Sequence, residues 1–272
     1  MDAEPLLASL PADWQGRLTP LAGGLTNRCW RLDTDRGAYW LRQGCAEPAA
    51  LGIDRRLELL AHRTAAAAGL ALPVRFARPE QGLLILDWRD EPDWRQRPPD
   101  MTRLMARVAL LHRLPVALPV LDLRARLGHY LRRLSPLPAD IARVLPLFER
   151  AELNPPFSPV FCHHDLNAAN LLGERPWLLD WEYAARGDAA FELAVIADSF
   201  GLDRPGRAAM LAAYRAGGGE LSEARLAARQ PWVWLLTALW AAVQYRQCGQ
   251  AEYLEQQQQA VQRLCQYQRE RE

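Results

Sequence analysis

Between His163 and Glu182 the chain reads His163-His164-Asp165-Leu166-Asn167-Ala168-Ala169-Asn170, then Leu171-Leu172-Gly173-Glu174-Arg175-Pro176-Trp177-Leu178-Leu179-Asp180-Trp181-Glu182. Gly173 and Pro176 punctuate two short apolar runs, Leu171-Leu172 and Trp177-Leu178-Leu179, so a small β-hairpin is the economical local fold. Such a hairpin sets Asn170 and Asp180 opposite each other at its open end. Two oxygen-bearing side chains placed that way can share a hard cation such as Mg²⁺. Asp165 falls in the loop just before them, as a candidate base.

This division of labour is the one phosphoryl transfer needs: a loop aspartate for the acceptor hydroxyl, an asparagine downstream of it and an aspartate on the metal. Each residue alone has a plainer explanation, since Asp and Asn are favoured in turns and at strand ends. The three together at this spacing favour the chemical reading over the turn reading. His163 reads as a loop anchor whose ring bonds to backbone, and His164 as a solvated residue.

At 272 residues, half of them apolar, the chain can bury a substantial core as one two-lobed domain or two small ones. Its 33 basic and 32 acidic residues nearly cancel, which gives no support to nucleic-acid binding. Every basic residue is Arg. The five cysteines are widely spaced, with no Cys-x-x-Cys pair and no zinc-type cluster, as suits reduced thiols in the cytoplasm. Asp2 and Glu4 interrupt the N-terminus, which does not read as a signal peptide, and no uninterrupted apolar run is long enough to span a membrane. The expected protein is soluble and cytoplasmic.

Along the chain, a leader through Asp13 precedes strands at Leu18–Leu21, Cys29–Leu32 and Ala38–Leu41, separated by turns at Gly23-Gly24 and at 33–37. Gly23-Gly24-Leu25-Thr26-Asn27 can present backbone N–H groups to an anion. The periodicity predicts a helix over Ile53–Ala68, with Glu58 beside its apolar stripe, then a buried strand over Leu83–Leu86. A polar, Pro-containing connection from Asp87 to Pro99 marks the boundary between a β-rich part, residues 1–90, and a helical part, residues 91–272. Helices are expected at Met101–His112, Leu121–Leu134, Ile141–Glu152, Ala189–Phe200, Arg204–Ala216 and Ser222–Gln230. Pro231 then opens a separate aromatic helix through Tyr245, and a Gln-rich surface helix covers Glu252–Arg271. Asp188 reads as the N-cap of the helix that starts at Ala189.

In order and spacing, these motifs resemble the aminoglycoside phosphotransferase and choline kinase group of small-molecule kinases over essentially the whole chain. Within it the chain is most similar to the bacterial thiamine kinases. The resemblance implies an α+β, protein-kinase-like two-lobed fold, with a small antiparallel β lobe and a larger helical lobe. Gly23, Gly24, Thr26 and Asn27 match the loop that covers the nucleotide phosphates, and Arg42 stands where many relatives have Lys. Arg keeps the charge there and can bond two phosphate oxygens. Glu58 matches the helix glutamate that pairs with that base, Leu111-His112 a recurrent packing pair, and Glu192 a position where many relatives have Asp.

By the same resemblance Asp165 is the catalytic base, Asn170 and Asp180 are Mg²⁺ ligands, and Leu83 to Trp88, with Asp87, line the adenine site. Asp180-Trp181-Glu182-Tyr183-Ala184 is similar to the pattern of thiamine and choline kinases. The expected activity is ATP-dependent phosphorylation of the primary hydroxyl of a small cation, thiamine first, with choline, ethanolamine or an amino sugar as alternative acceptors and a non-catalytic nucleotide-binding protein as a third reading. A cationic acceptor wants aromatic faces and a carboxylate, which Trp181, Glu182, Trp234, Trp240 and Tyr245 can supply. Trp at helical spacing is usually core, so for each individual Trp packing is favoured over ligand contact. The implied partners are ATP and a small-molecule acceptor, with no nucleic acid and no membrane.

Overall fold

A computed structural model of the chain describes residues 3–21 and 27–271. Helix α1 (Ala3–Ser9) leads into an antiparallel sheet of β1 (Arg17–Leu21), β2 (Arg28–Thr34) and β3 (Gly37–Gln43). Helix α2 (Arg55–Ala67) follows, then β4 (Val74–Arg78) and β5 (Leu83–Asp87) complete a five-stranded sheet in the order β1-β2-β3-β5-β4. The register sets Arg42 of β3 opposite Cys29 of β2 and Leu84 of β5. The leader packs on the sheet: Leu6 and Leu10 are buried with Trp30, Leu32, Leu41 and Ile85 in one cluster. Strand β4 was not anticipated, although Val74 and Phe76 flank Arg75 between Pro73 and Pro79.

The rest of the chain is mainly helical. Helices α3 (Met101–Arg113), α4 (Leu123–Leu131) and α5 (Ala139–Val144) precede β6 (Val160–Cys162). The expected hairpin follows as β7 (Leu171–Leu172) and β8 (Trp177–Leu178), turned at Gly173 with φ 81°. Strand β9 (Ala185–Gly187) pairs antiparallel with β6, and Leu172, Trp177 and Leu179 at the hairpin pack with Leu84 and Leu86 of the sheet. Helices α6 (Ala189–Ser199), α7 (Arg204–Ala216), α8 (Glu223–Cys248) and α9 (Ala251–Arg269) close the fold. Two helix expectations need correction. The helix from Ile141 gives way to a 3₁₀ turn over Leu145–Glu149, because Pro146 has no N–H to donate and its ring blocks the preceding turn. Conversely, Pro231 does not separate two helices.

Pro231 sits inside the single 26-residue α8, where the lost hydrogen bond costs about 3 kcal/mol. Burial around it offsets that cost: Trp232 is fully buried and donates its indole N–H to the Leu153 carbonyl at 2.9 Å. Arg229 on the same stretch reaches Asp188 at 2.7 Å and the Leu153 carbonyl at 2.8 Å. Asp188 is indeed the N-cap of α6, accepting from the Ala190 amide at 2.9 Å. The largest core joins Ala61, Ala65 and Leu70 from the β-rich part with Leu104, Leu178 and Leu239 from the helical part, so α2 packs against the helical part. Among the described residues no helix is long and apolar enough to cross a membrane.

Candidate active site

The loop that leaves β6 carries Asp165, and buried groups fix its path. The Glu192 carboxylate, wholly buried on α6, accepts the backbone N–H groups of His163 at 2.7 Å and His164 at 3.1 Å. The His163 ring packs on Trp181 with centroids 4.6 Å apart, and its Nε2 bonds the Leu179 carbonyl at 2.8 Å, tying the loop to the segment that runs from β8 to Asp180. That is the anchoring role read from sequence. The solvated reading of His164 is wrong: it is buried, its Nδ1 bonds the Tyr183 carbonyl at 3.2 Å, and a Cβ on Gly187 would lie 2.4 Å from its ring. Burial pushes His163 down to about 4 and His164 to about 3, so both are neutral at ordinary pH. His112 is buried as expected of a packing residue, with Nδ1 2.6 Å from the Tyr214 hydroxyl.

His164 and Asp180 are the two non-glycine residues with positive φ among those described, at 67° and 60°. Backbone in this sparsely populated region persists only where surrounding contacts hold it. Here it lies at the two turns that carry Asp165 and Asp180. Asn167 Nδ2 donates to Asp165 Oδ1 at 3.2 Å, and Asn170 Nδ2 donates to Oδ2 at 2.9 Å and to the Asp165 carbonyl at 2.8 Å. Both oxygens of the carboxylate are thereby oriented. Burial, reinforced by the Glu182 charge, raises the Asp165 carboxyl to about 7 against the opposing pull of the two asparagines.

From the sheet side, Arg42 enters the centre in a bidentate pair with Glu58, the second contact at 2.9 Å, and reaches Asp180 Oδ1 at 3.2 Å. Arg42 and Glu58 are almost fully buried. Burial would raise the Glu58 carboxyl, but the Arg42 and Arg55 guanidiniums outweigh it and hold it at about 2. Arg55, absent from the sequence reading, completes the assembly by donating to Glu58 and to Glu182 at 2.9 Å each and to Asn27 Oδ1 at 3.0 Å. Asn27 in turn donates to Glu182 at 2.8 Å and to Asp180 at 3.4 Å. The sequence carried one signal for Arg55: it opens α2 three residues before Glu58, on the same helix face.

Four carboxylates, Glu58, Asp165, Asp180 and Glu182, therefore meet two guanidiniums in this centre. Burial and the neighbouring Glu182 charge raise the Asp180 carboxyl well above the usual range, with Arg42 opposing. Excess negative charge beside oxygen donors suits a hard divalent cation. Asp180 keeps 27% of its side-chain exposure, and Asn170 commits its amide nitrogen to Asp165, leaving its oxygen to offer. The donor set fits Mg²⁺.

The centre opens into a cleft of about 840 Å³. Toward the sheet it is lined by Cys29, Trp40, Leu72, Asp87, Trp88 and Leu172. Asp87 is there as expected, but its carboxylate is engaged by Arg75 at 2.6 and 2.8 Å. Toward the helices the lining follows helical stripes: Arg126 and Tyr130 on α4, Phe191, Val195 and Asp198 on α6, and Val233, Leu236, Thr237 and Trp240 on α8. Gly23, Gly24 and Thr26 lie outside the described residues.

The residues expected to meet an acceptor separate into three cases. Trp240 lines the cleft and donates its indole N–H to the Tyr183 hydroxyl at 2.8 Å. Glu182 also lines it, but is spent on Arg55 and Asn27. Trp181 and Tyr245 do not reach it. Trp181 is fully buried against Phe161 and His163 and donates to the Leu178 carbonyl at 3.0 Å, so the core reading prevails. Tyr245, five residues beyond Trp240, is turned about 140° away around α8 and is exposed. Trp234 points to Asp198 at 2.7 Å. Trp181→Ala is accordingly expected to cost about 3–5 kcal/mol in urea unfolding. Trp181→Phe should leave the acceptor KM within about twofold of wild type; a large rise in KM for a normally folded Trp181→Phe protein would place the ring at the substrate.

The sequence matches the model of a phosphotransferase enzyme family over residues 17–232. No curated protein matches it. Among solved structures, a choline/ethanolamine kinase family protein from Mesorhizobium loti is similar with 26% identity and a TM-score of 0.79, covering 96% of this chain and 92% of that one. The choline kinase LicA from Streptococcus pneumoniae shares the fold at 17% identity, with a TM-score of 0.80 over 92% of this chain and 94% of its own. The macrolide 2'-phosphotransferase MphH from Brachybacterium faecium does so at 22% identity, with a TM-score of 0.68 over 96% and 98%. With the family matched over most of its length and the loop, ion pair and cleft arranged as described, the chain belongs to the phosphotransferase enzyme family and is a small-molecule kinase of the aminoglycoside phosphotransferase and choline kinase group.

Proposed function

We propose that this kinase transfers the γ-phosphoryl group of ATP to the primary hydroxyl of a small cationic heteroaromatic alcohol, thiamine, giving thiamine monophosphate. The observation that carries the reading is an oriented carboxylate, Asp165, lining the same cleft as Tyr130, Tyr183 and Trp240. Aromatic faces attract a ring-borne cation, and Asp165 supplies the opposite charge beside its hydroxyl. Asp165 accepts the hydroxyl proton as the oxygen attacks in line, and the two asparagines keep its lone pairs aimed. Arg42, held by Glu58, bonds phosphate oxygens. Asn170 and Asp180 would hold Mg²⁺, which when bound neutralises phosphate charge. The intact Asp165, Asn170 and Asp180 set argues against a non-catalytic protein.

Choline or ethanolamine is the second reading, supported by the kinases whose structures this chain resembles. ATP consumption across thiamine, choline, ethanolamine and aminoglycosides separates them: turnover of choline without thiamine sinks the first reading. The pH dependence follows from Asp165. Its carboxyl is raised to about 7, so kcat/KM should fall about tenfold per pH unit below 7 and level off above it. Glu192 is raised to about 7 as well, chiefly by burial, so the profile is repeated on Glu192→Gln. A limb that persists in that variant belongs to Asp165, and one that vanishes belongs to Glu192.

A further inference from the structure

Behind the Asp165 loop, three elements each bring one metal-competent side chain to a common point. His112 lies in the last turn of α3, Cys162 ends β6 and Glu192 lies on α6, and all three are buried. They are too far apart in sequence to form a zinc-type motif, yet His112 Nε2, Cys162 Sγ and a Glu192 carboxylate oxygen lie within 4.8 Å of one another. Each donor is set by a second contact. The Tyr214 hydroxyl stands 2.6 Å from His112 Nδ1, and with the ring proton on that nitrogen the Nε2 lone pair faces Cys162 Sγ at 3.9 Å. Glu192 spends Oε2 on the His163 and His164 amides, while Oε1 is buried without a hydrogen-bond partner and no guanidinium acts on the carboxylate. His164 Nε2, likewise buried and unpartnered, lies beside Cys162: a Cβ at Gly187 would stand 2.4 Å from it and 3.7 Å from Cys162 Sγ. The Nδ1 of His164 faces the Tyr183 carbonyl, which can only accept, so Nε2 carries a lone pair.

A carboxylate without a counter-charge is costly in a dry interior. A divalent cation held by that carboxylate, a thiolate and neutral imidazole leaves no net charge to desolvate. Bonds of about 2.3 Å to sulfur and 2.1 Å to nitrogen bridge a gap of the size seen between Cys162 and His112 at an angle of about 125°. Thiolate and imidazole select a borderline-soft ion over Mg²⁺. We propose that His112, Cys162 and Glu192 form a structural site for Zn²⁺, with His164 Nε2 beside them as the fourth donor. Binding releases the Cys162 thiol proton to solvent. The ion ties α3, β6 and α6 together behind Asp165 and leaves Glu192 Oε2 on the two loop amides. This site is distinct from the Asn170 and Asp180 donors and does not depend on which alcohol the kinase accepts.

The test uses Co²⁺ as a spectroscopic stand-in for Zn²⁺. Untagged protein is expressed in medium supplemented with Co²⁺ and purified in excess Mg²⁺, so that the buried site loads as the chain folds. Wild type should retain one Co²⁺ per chain and show a thiolate-to-cobalt charge-transfer band in the near ultraviolet, a signal that oxygen donors at Asn170 and Asp180 cannot produce. Cys162→Ser should abolish the band, and His112→Gln should lower the retained cobalt about tenfold or more. Cys248→Ser, at an exposed thiol, should match wild type. No band in wild type overturns the inference and leaves the three side chains as a plain buried contact; a band that survives Cys162→Ser overturns it by placing the ion on another cysteine. Should Cys162→Ser fail to fold, wild-type crystals of protein expressed with Zn²⁺ decide by anomalous scattering at the zinc edge. A peak between His112, Cys162 and Glu192 supports the site, and none there overturns it.

Discussion

Asp165→Asn is expected to lower kcat by about 10²–10⁴-fold while leaving nucleotide affinity within a few-fold of wild type, the range for loss of a positioned general base. Single-turnover phosphorylation and nucleotide titration check the two halves separately, and retained turnover would remove Asp165 from the role of base. The same variant carries an opposite prediction for stability. A carboxyl raised from 3.8 to about 7 favours the folded state most at low pH, and this contribution is lost as pH rises from about 4 through about 7. Asparagine has nothing to ionise, so the loss is absent from the variant. Asp165→Asn should therefore match or exceed the wild-type melting temperature at pH 8 and lose that advantage near pH 4. A variant that is both inactive and less stable at pH 8 would mean that the carboxylate is a structural anchor.

Arg42→Met is the second large effect, and it falls on folding and catalysis together. Removing this guanidinium leaves Glu58 buried with Arg55 as its remaining cation and deprives Asp180 of its 3.2 Å contact. Breaking one partner of a buried pair typically costs about 3–5 kcal/mol, because the other charge stays desolvated. Urea unfolding should show a loss near the lower end of that range, since Arg55 still covers Glu58, with kcat/KM for the nucleotide falling as well. Arg42→Lys keeps the charge but gives up the two-pronged contact, so it should recover most of the stability and only part of the activity. Equal activity of the Lys variant and wild type would show that charge alone matters at this position. Stability unchanged in Arg42→Met would mean that the pair adds nothing to the fold.

The parts legible in the sequence were those set by neighbours along the chain. The hairpin at Gly173, the Asp188 N-cap and the His163 anchor are governed by turn chemistry and spacing over a few residues, and each was read where it stands. Pro146 and Pro231 show where such reading fails. Pro146 follows the local rule and ends an α-helix that the apolar pattern carried past it, whereas Pro231 lies within α8 against that rule, because Trp232 and Arg229 bury contacts that offset the missing bond. Trp181, in the Asp-Trp-Glu segment, and Trp240, on the aromatic helix, were both candidates for a cation contact. Their fates differ because one stands behind the loop, against His163, and the other on the helix stripe that faces the cleft.

By itself the sequence determined the chemistry available: an aspartate, an asparagine and a second aspartate around one hairpin, close enough along the chain for local geometry to bring them together. Tertiary structure decided what that chemistry is coupled to. Glu182 was expected to meet a substrate cation and instead meets Arg55, 127 residues away in sequence. Which charge finds which partner depends on how the sheet, α2 and α4 dock over the loop, and long-range docking leaves no periodic trace in the order of residues.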